Sequence, residues 1–333
     1  MEPEISVAHQ RRLFIKAYEA YGGRIPFEHE YTGAIDALAR FLAGLGQAHK
    51  DSSPGVVDVH WTSVYADIVM SDAVNAFVTE LDGVYLIGIT DGVVTRVFDQ
   101  ISAMLTDHGL SPDDRNRLNS TLWMFALLFA LGHECAHITE GHLARYRTLN
   151  GSRCLAEAVD VERLAGTLNS YMEEAEADGV GVVSLAMGLG SVFQDDLEEL
   201  VRATDVPTAI GLVHAAVGAM VTTLAASTPT ALDHRGAYPH PLVRFVFTGQ
   251  LLRQLLTVVI TTAMKVPVTP LDDKRAFVVG IRALHRTEPA LMAILDSRID
   301  SVRKQVQELM DATAASVLSW LNRVDLTGLT SRS

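Results

Sequence analysis

Apolar residues recur every three or four positions along most of this chain, a spacing that predicts helices separated by short breaks. Residues 8–21 place Leu13, Phe14, Ala17, Tyr18 and Tyr21 on one stripe, and Gly22-Gly23 stops it. A second helix is expected from Thr32 to Leu45, followed by a loop at 49–55 (HKDSSPG). The period then shortens. Residues 56–61, Asn75–Leu81 and Val84–Thr90 read as strands, and Asp82-Gly83 supplies the turn of a hairpin. Asp91 is placed to open a helix to about Leu105. Ser111-Pro112-Asp113-Asp114 combines an N-cap residue, a first-turn proline and two acids at a helix N-terminus. The helix it opens should continue through the apolar run 122–131 to about Arg145. Further helices are expected near 155–190, 208–226, 242–264 and 274–286, and a last one over Pro289–Val324. That last helix carries Leu291, Leu295, Ile299, Val302, Val306, Leu309, Val317 and Leu321 at helical spacing. The stripe is read as packing within its own domain, with a homodimer seam through the C-terminal helix as the alternative.

Two stretches, Val180–Gln194 and Val206–Leu232, contain no charged residue, and the second has the length of a membrane span. It is rich in Ala, Gly and Thr, bracketed by Pro207 and Pro229, and interrupted by His214. These features favour a helix buried in a large core. Composition agrees with a substantial core: 48% of the 333 residues are apolar, which excludes a mainly disordered chain. The balance of 27 Lys and Arg against 40 Asp and Glu, net −13, counts against a nucleic-acid binder. Two cysteines, Cys135 and Cys154, make no disulfide framework, and the charged N-terminus lacks the apolar segment of a signal peptide. A cytoplasmic setting is expected.

The candidate chemistry is concentrated in two short patterns. His133-Glu134-Cys135-Ala136-His137 is HExxH within the Ser111 helix, and its spacing puts both imidazoles on one helical face, able to share a metal ion. Glu134, on the neighbouring edge, is placed to act as general base toward a polarised water. Downstream, Glu174 and Asp178 form an ExxxD pair on one face, where Glu174 can ligate the metal and Asp178 can accept from a ligand histidine N–H. Glu173 and Glu176 fall outside that register; the alternative makes all three glutamates a solvated helix face. His142 lies one residue short of the third-histidine spacing of metzincins and is read as a rim residue. Cys135, at an x position, is read as a small core residue.

HExxH followed by ExxxD, with Ala177 before the aspartate, resembles the gluzincin metallopeptidases of the HtpX and CAAX-prenyl-protease type. Asn75-Ala76-Phe77, Gly83, Tyr85–Thr90 and Gly92 are similar to that family's hairpin-and-helix module, and His142 matches a position where its members often carry His. His240-Pro241-Leu242-Val243-Arg244 is similar to its late HP…R element, with Arg244 closer to His240 than is usual there. The likeness covers about residues 56–190 and 238–245. It implies a zincin-like α+β fold, predominantly helical, with a small hairpin edge over the active-site helix. Residues 1–54 would form an N-terminal helical extension, 55–265 the catalytic domain and 266–333 a C-terminal helical extension. It further implies one Zn2+ per chain on His133, His137 and Glu174, with Asp178 and Arg244 behind the ligands. Glu134 would be the general base, and His240, or its competitor His234, would support the oxyanion. Asn75, Ala76 and Phe77 would pair with an extended peptide or protein substrate. The resulting expectation is a zinc-dependent endopeptidase, as a soluble member or cousin with the phage-exclusion peptidase Lit as a cytosolic parallel. The rival expectations are a membrane-associated protease of the HtpX kind and a non-catalytic interaction protein stabilised by zinc.

Overall fold

Alternation at period two between residues 64 and 90 builds most of a four-stranded sheet: β1 (Val64–Val69), β2 (Ala76–Leu81), β3 (Val84–Thr90) and β4 (Cys154–Ala156), in the order β1-β3-β2-β4. The computed structural model describes residues 6–19, 64–72, 74–106, 108–143, 154–156, 168–225 and 239–323; the strand expected at 56–61, the helix at 32–45 and His234 lie outside them. The β2–β3 hairpin forms as expected, because Asp82 (φ 51°) and Gly83 (φ 77°) take the left-handed conformations that a tight two-residue turn requires. β1 runs parallel to β3 and was not foreseen. Its apolar run is broken by Asp67, which is buried nonetheless, accepting from the Tyr65 hydroxyl at 2.9 Å and the Ile68 N–H at 2.8 Å.

The two faces of the sheet serve two cores. Leu13, Phe14 and Tyr18 of α1 (Val7–Glu19) pack on Tyr65, Val69, Phe77, Val84 and Leu86, and the Tyr18 hydroxyl donates to the Leu86 carbonyl at 2.9 Å. The helix expected as part of an N-terminal extension therefore covers the sheet. The opposite face, with Val64, Ala66, Ile68, Ala76, Val78, Ile87 and Ile89, joins the main helical core.

Eight more helices carry that core among the described residues: α2 (Asp91–Met104), α3 (Pro112–Thr139), α4 (Leu168–Leu189), α5 (Gln194–Ala203), α6 (Val206–Leu224), α7 (Pro241–Ala263), α8 (Pro270–Thr287) and α9 (Pro289–Arg323). The fold is α+β and predominantly helical. α3 starts as its sequence dictates, with Ser111 Oγ accepting from the Asp114 N–H at 3.1 Å and Pro112 in the first turn. It stops at Thr139 rather than near Arg145, because Gly141 adopts φ 72°. The helix expected from residue 155 is instead strand β4 at 154–156, with α4 starting at Leu168. α5 was not anticipated. In α9, Met292, Leu295, Val302, Val306, Leu309 and Val317 are buried in the main core, so this stripe is used within the chain.

Glycine governs one packing contact that matters for the site. A Cβ on Gly132 of α3 would lie 2.9 Å from Ser184 Cβ and 3.1 Å from Gly181 Cα of α4; one on Gly181 would lie 2.9 Å from the Phe129 carbonyl oxygen. The two backbones meet this closely directly before His133, which brings HExxH against ExxxD.

Among the described residues three helices, α3, α6 and α7, are long and apolar enough to cross a membrane; their most apolar windows are 89%, 89% and 67% buried within the fold.

Candidate metal centre

α3 presents His133 and His137 one turn apart, and α4 brings Glu174 between them. His133 Nε2 lies 3.1 Å from His137 Nε2, and one oxygen of Glu174 approaches each ring, at 3.4 Å from His133 and 3.6 Å from His137. His133 and His137 are each 1% exposed and Glu174 is 4% exposed. Among the described residues this is the group of three ligand-bearing side chains that can hold one metal ion.

The partners behind the two histidines determine how their inner nitrogens are protonated. His133 Nδ1 lies 3.0 Å from Asp178 Oδ1. Arg244 reaches from α7 to the same carboxylate, with Nε donating to Oδ2 at 2.8 Å and Nη2 to Oδ1 at 2.7 Å. Burial opposes ionisation of Asp178, but the Arg244 charge and the hydrogen bonds from His133 and Arg244 outweigh it and hold the carboxyl below its ordinary range. An ionised carboxylate only accepts, so His133 carries its proton on Nδ1 and turns the Nε2 lone pair inward. Behind His137, its Nδ1 lies 2.9 Å from Nδ1 of His142, and His142 Nε2 lies 3.0 Å from Glu176 Oε2.

The donor set fits a cation. A tetrahedral zinc with bonds of about 2.1 Å sets its ligand atoms about 3.4 Å apart, close to the three separations found here. Two nitrogens and a carboxylate are also a ligand set that such an ion takes.

The other residues named from the sequence separate into two groups. Glu134 is buried next to His133 in sequence, on the same helix. Its charge adds to burial in pushing the Cys135 thiol up to about 12, which makes Cys135 a core residue and not a nucleophile. His240 caps α7, its Nδ1 accepting from the Leu242 N–H at 3.2 Å, one turn before Arg244. Arg244 lies where the ExxxD pair needs a cation.

Asn75, Ala76 and Phe77 do not form a free edge. β4 pairs with β2 from Phe77 to Thr79, so among the described residues β2 is an interior strand and β4 is the outermost on that side. Asn75 is tied to Thr90, whose N–H and Oγ donate to its carbonyl at 3.0 Å. Ala76 is fully buried, and Phe77 covers Gly88 on the α1 side.

His142 is a second correction: it is 0% exposed and hydrogen-bonded to His137, not on the rim. Sequence reasoning also missed Glu176. The available signal was Gly141 directly before His142, a residue suited to ending the helix and turning the chain back on it.

No family model matches this chain, and neither curated proteins nor solved structures give a significant match.

Proposed function

We propose that the chain is a zinc-dependent peptidase. The observation that carries this reading is the convergence of His133 Nε2, His137 Nε2 and the Glu174 carboxylate in a buried cluster, with Glu134 next to His133 in sequence. Zinc bound there would supply Lewis acidity toward a carbonyl and lower the pKa of a water. Glu134 receives the proton of the attacking water on its carboxylate and returns it to the departing amine, so the peptide is cleaved by net addition of one water. Asp178, held by Arg244, keeps His133 oriented with its lone pair inward. His240 accepts on Nδ1, so its neutral ring carries the proton on Nε2 and is suited to donate to a developing oxyanion.

Three converging protein ligands among the described residues favour a catalytic ion over a structural one, which takes four. The likeness to gluzincins of the HtpX type supports the same assignment.

The test is Glu134→Gln in the full-length chain, assayed on a broad protein mixture. The variant should keep the zinc content and thermal stability of the natural chain and lose nearly all cleavage, because the amide cannot take the proton. Equal cleavage by both proteins would refute the peptidase reading.

A further inference from the structure

The shell behind His137 is built differently from the one behind His133, and this difference assigns work to two residues outside the ligand set. Had α3 continued, residue 142 would sit about 140° around the helix from residue 137 at about 100° per residue, too far round for the two rings to meet. The helix instead ends at Thr139, Gly141 takes φ 72°, and His142 returns to place its Nδ1 2.9 Å from Nδ1 of His137. Two identical nitrogens at that distance bond only if one donates and the other accepts. The direction is set at the far end of the chain of contacts. Glu176 Oε2, 3.0 Å from His142 Nε2, is a carboxylate oxygen and accepts a hydrogen bond from that N–H. A neutral His142 then has no hydrogen on Nδ1, so that atom accepts and His137 Nδ1 donates.

We propose that His142 and Glu176 are positioning residues: together they hold His137 in the tautomer that carries its hydrogen on Nδ1 and points the Nε2 lone pair at the metal. The proposal rests on the metal-centre reading above. It gives the two ligand histidines unlike supports. His133 leans on Asp178, a carboxylate clamped by a buried arginine. His137 leans on a neutral ring whose orientation comes from Glu176, itself partly exposed with its side chain at 22%. Glu176 therefore belongs to the metal centre although it lies outside the Glu174–Asp178 register.

The experiment uses the full-length chain and zinc itself. Zinc affinity is measured by competition with a chromophoric chelator, and imidazole-nitrogen NMR of the zinc-loaded protein reads which ring nitrogen carries hydrogen. The natural chain should show His137 protonated on Nδ1 and His142 on Nε2. His142→Leu should weaken zinc about 10- to 100-fold, the scale for a partner behind a ligand histidine. His142→Asn should recover most of that loss, because its Oδ1 can accept from His137 Nδ1. Glu176→Ala should weaken zinc in the natural background and add nothing on top of His142→Asn. A role confined to packing would give equal losses for Leu and Asn. That outcome, unchanged affinity in His142→Leu, or hydrogen on His142 Nδ1 would each overturn the proposal. If His142→Leu does not fold, the nitrogen spectra of the natural chain and the affinity of Glu176→Ala decide it alone. Zinc bound tightly by the natural chain and equally by every variant removes the relay and leaves the metal centre standing. No zinc on the natural chain removes both.

Discussion

Asp178 has no exposed surface, yet it stays ionised because Arg244, 1% exposed itself, meets it with two hydrogen bonds. A buried pair of this kind contributes little net stability against an apolar replacement, whereas losing one partner strands the other charge. Asp178→Asn should therefore cost about 3–5 kcal/mol in denaturant unfolding. In the double variant Asp178→Leu with Arg244→Met most of that stability should return while zinc stays about 10- to 100-fold weaker, because His133 is left without its acceptor. Full recovery of zinc affinity in the double variant would show that Asp178 acts only through packing. At this scale the sequence revealed His133, His137, Glu174 and Asp178, because helical spacing alone sets which residues of each helix share a face. His142 and Glu176 were hidden, since their meeting depends on a turn at Gly141 and on the contact between two helices distant in sequence. The covering of Phe77 by β4 was hidden for a related reason. A strand's own residues do not reveal whether another strand, here β4, will cover its outer edge.

The start of α3 was legible because its determinants are local, whereas α6 and α8 begin ahead of the expected 208 and 274, at caps the apolar pattern does not mark. Ser111 and Asp205 cap α3 and α6 through N–H groups three residues on, and Thr269 and Asp272 form a reciprocal capping box on α8. Helix ends were harder to place: Thr139 gives way to a glycine turn where the apolar pattern alone runs on. The decisive element-scale feature is the crossing of α3 and α4 at Gly132 and Gly181. Gly132→Ala should place a methyl against Ser184 and the Gly181 backbone, push the helices apart and destabilise the fold by about 1–3 kcal/mol. Because Glu174 and the histidines sit on opposite sides of that crossing, zinc affinity should fall in the same variant. Thermal melting and chelator competition measure the two effects. A Gly132→Ala protein with natural stability and natural affinity would show that the crossing does not set the ligand spacing.

Over the whole molecule, sheet, helices and C-terminal stripe meet in one main core, and the uncharged stretch at 206–232 contributes its buried helix, α6. His214, in the middle of that helix, stacks on Phe245 with ring centres 4.2 Å apart, in space left by Gly249 and Gly280. Its Nε2–H donates to the Phe245 carbonyl at 3.2 Å. Burial, reinforced by the charge of Arg253 and only partly offset by that bond, drives its pKa down to about 3. The unfolded chain takes this proton at about 6.5, so between pH 6.5 and 3 the unfolded state binds more protons. Stability from this residue is complete above pH 6.5 and falls as the pH drops, by about 2 kcal/mol at pH 5. His214→Leu should flatten the acid slope between pH 6.5 and 5 by that amount, measured by urea unfolding of both proteins with the same excess of chelator; identical slopes would contradict the assignment.

The central claim, that α3 and α4 together hold one metal ion, is tested most directly by elemental analysis of the purified full-length chain. The account predicts about one zinc per chain, lost in His133→Ala, His137→Ala and Glu174→Ala and kept in Glu173→Ala. A folded natural chain that takes up no divalent metal at neutral pH would contradict it.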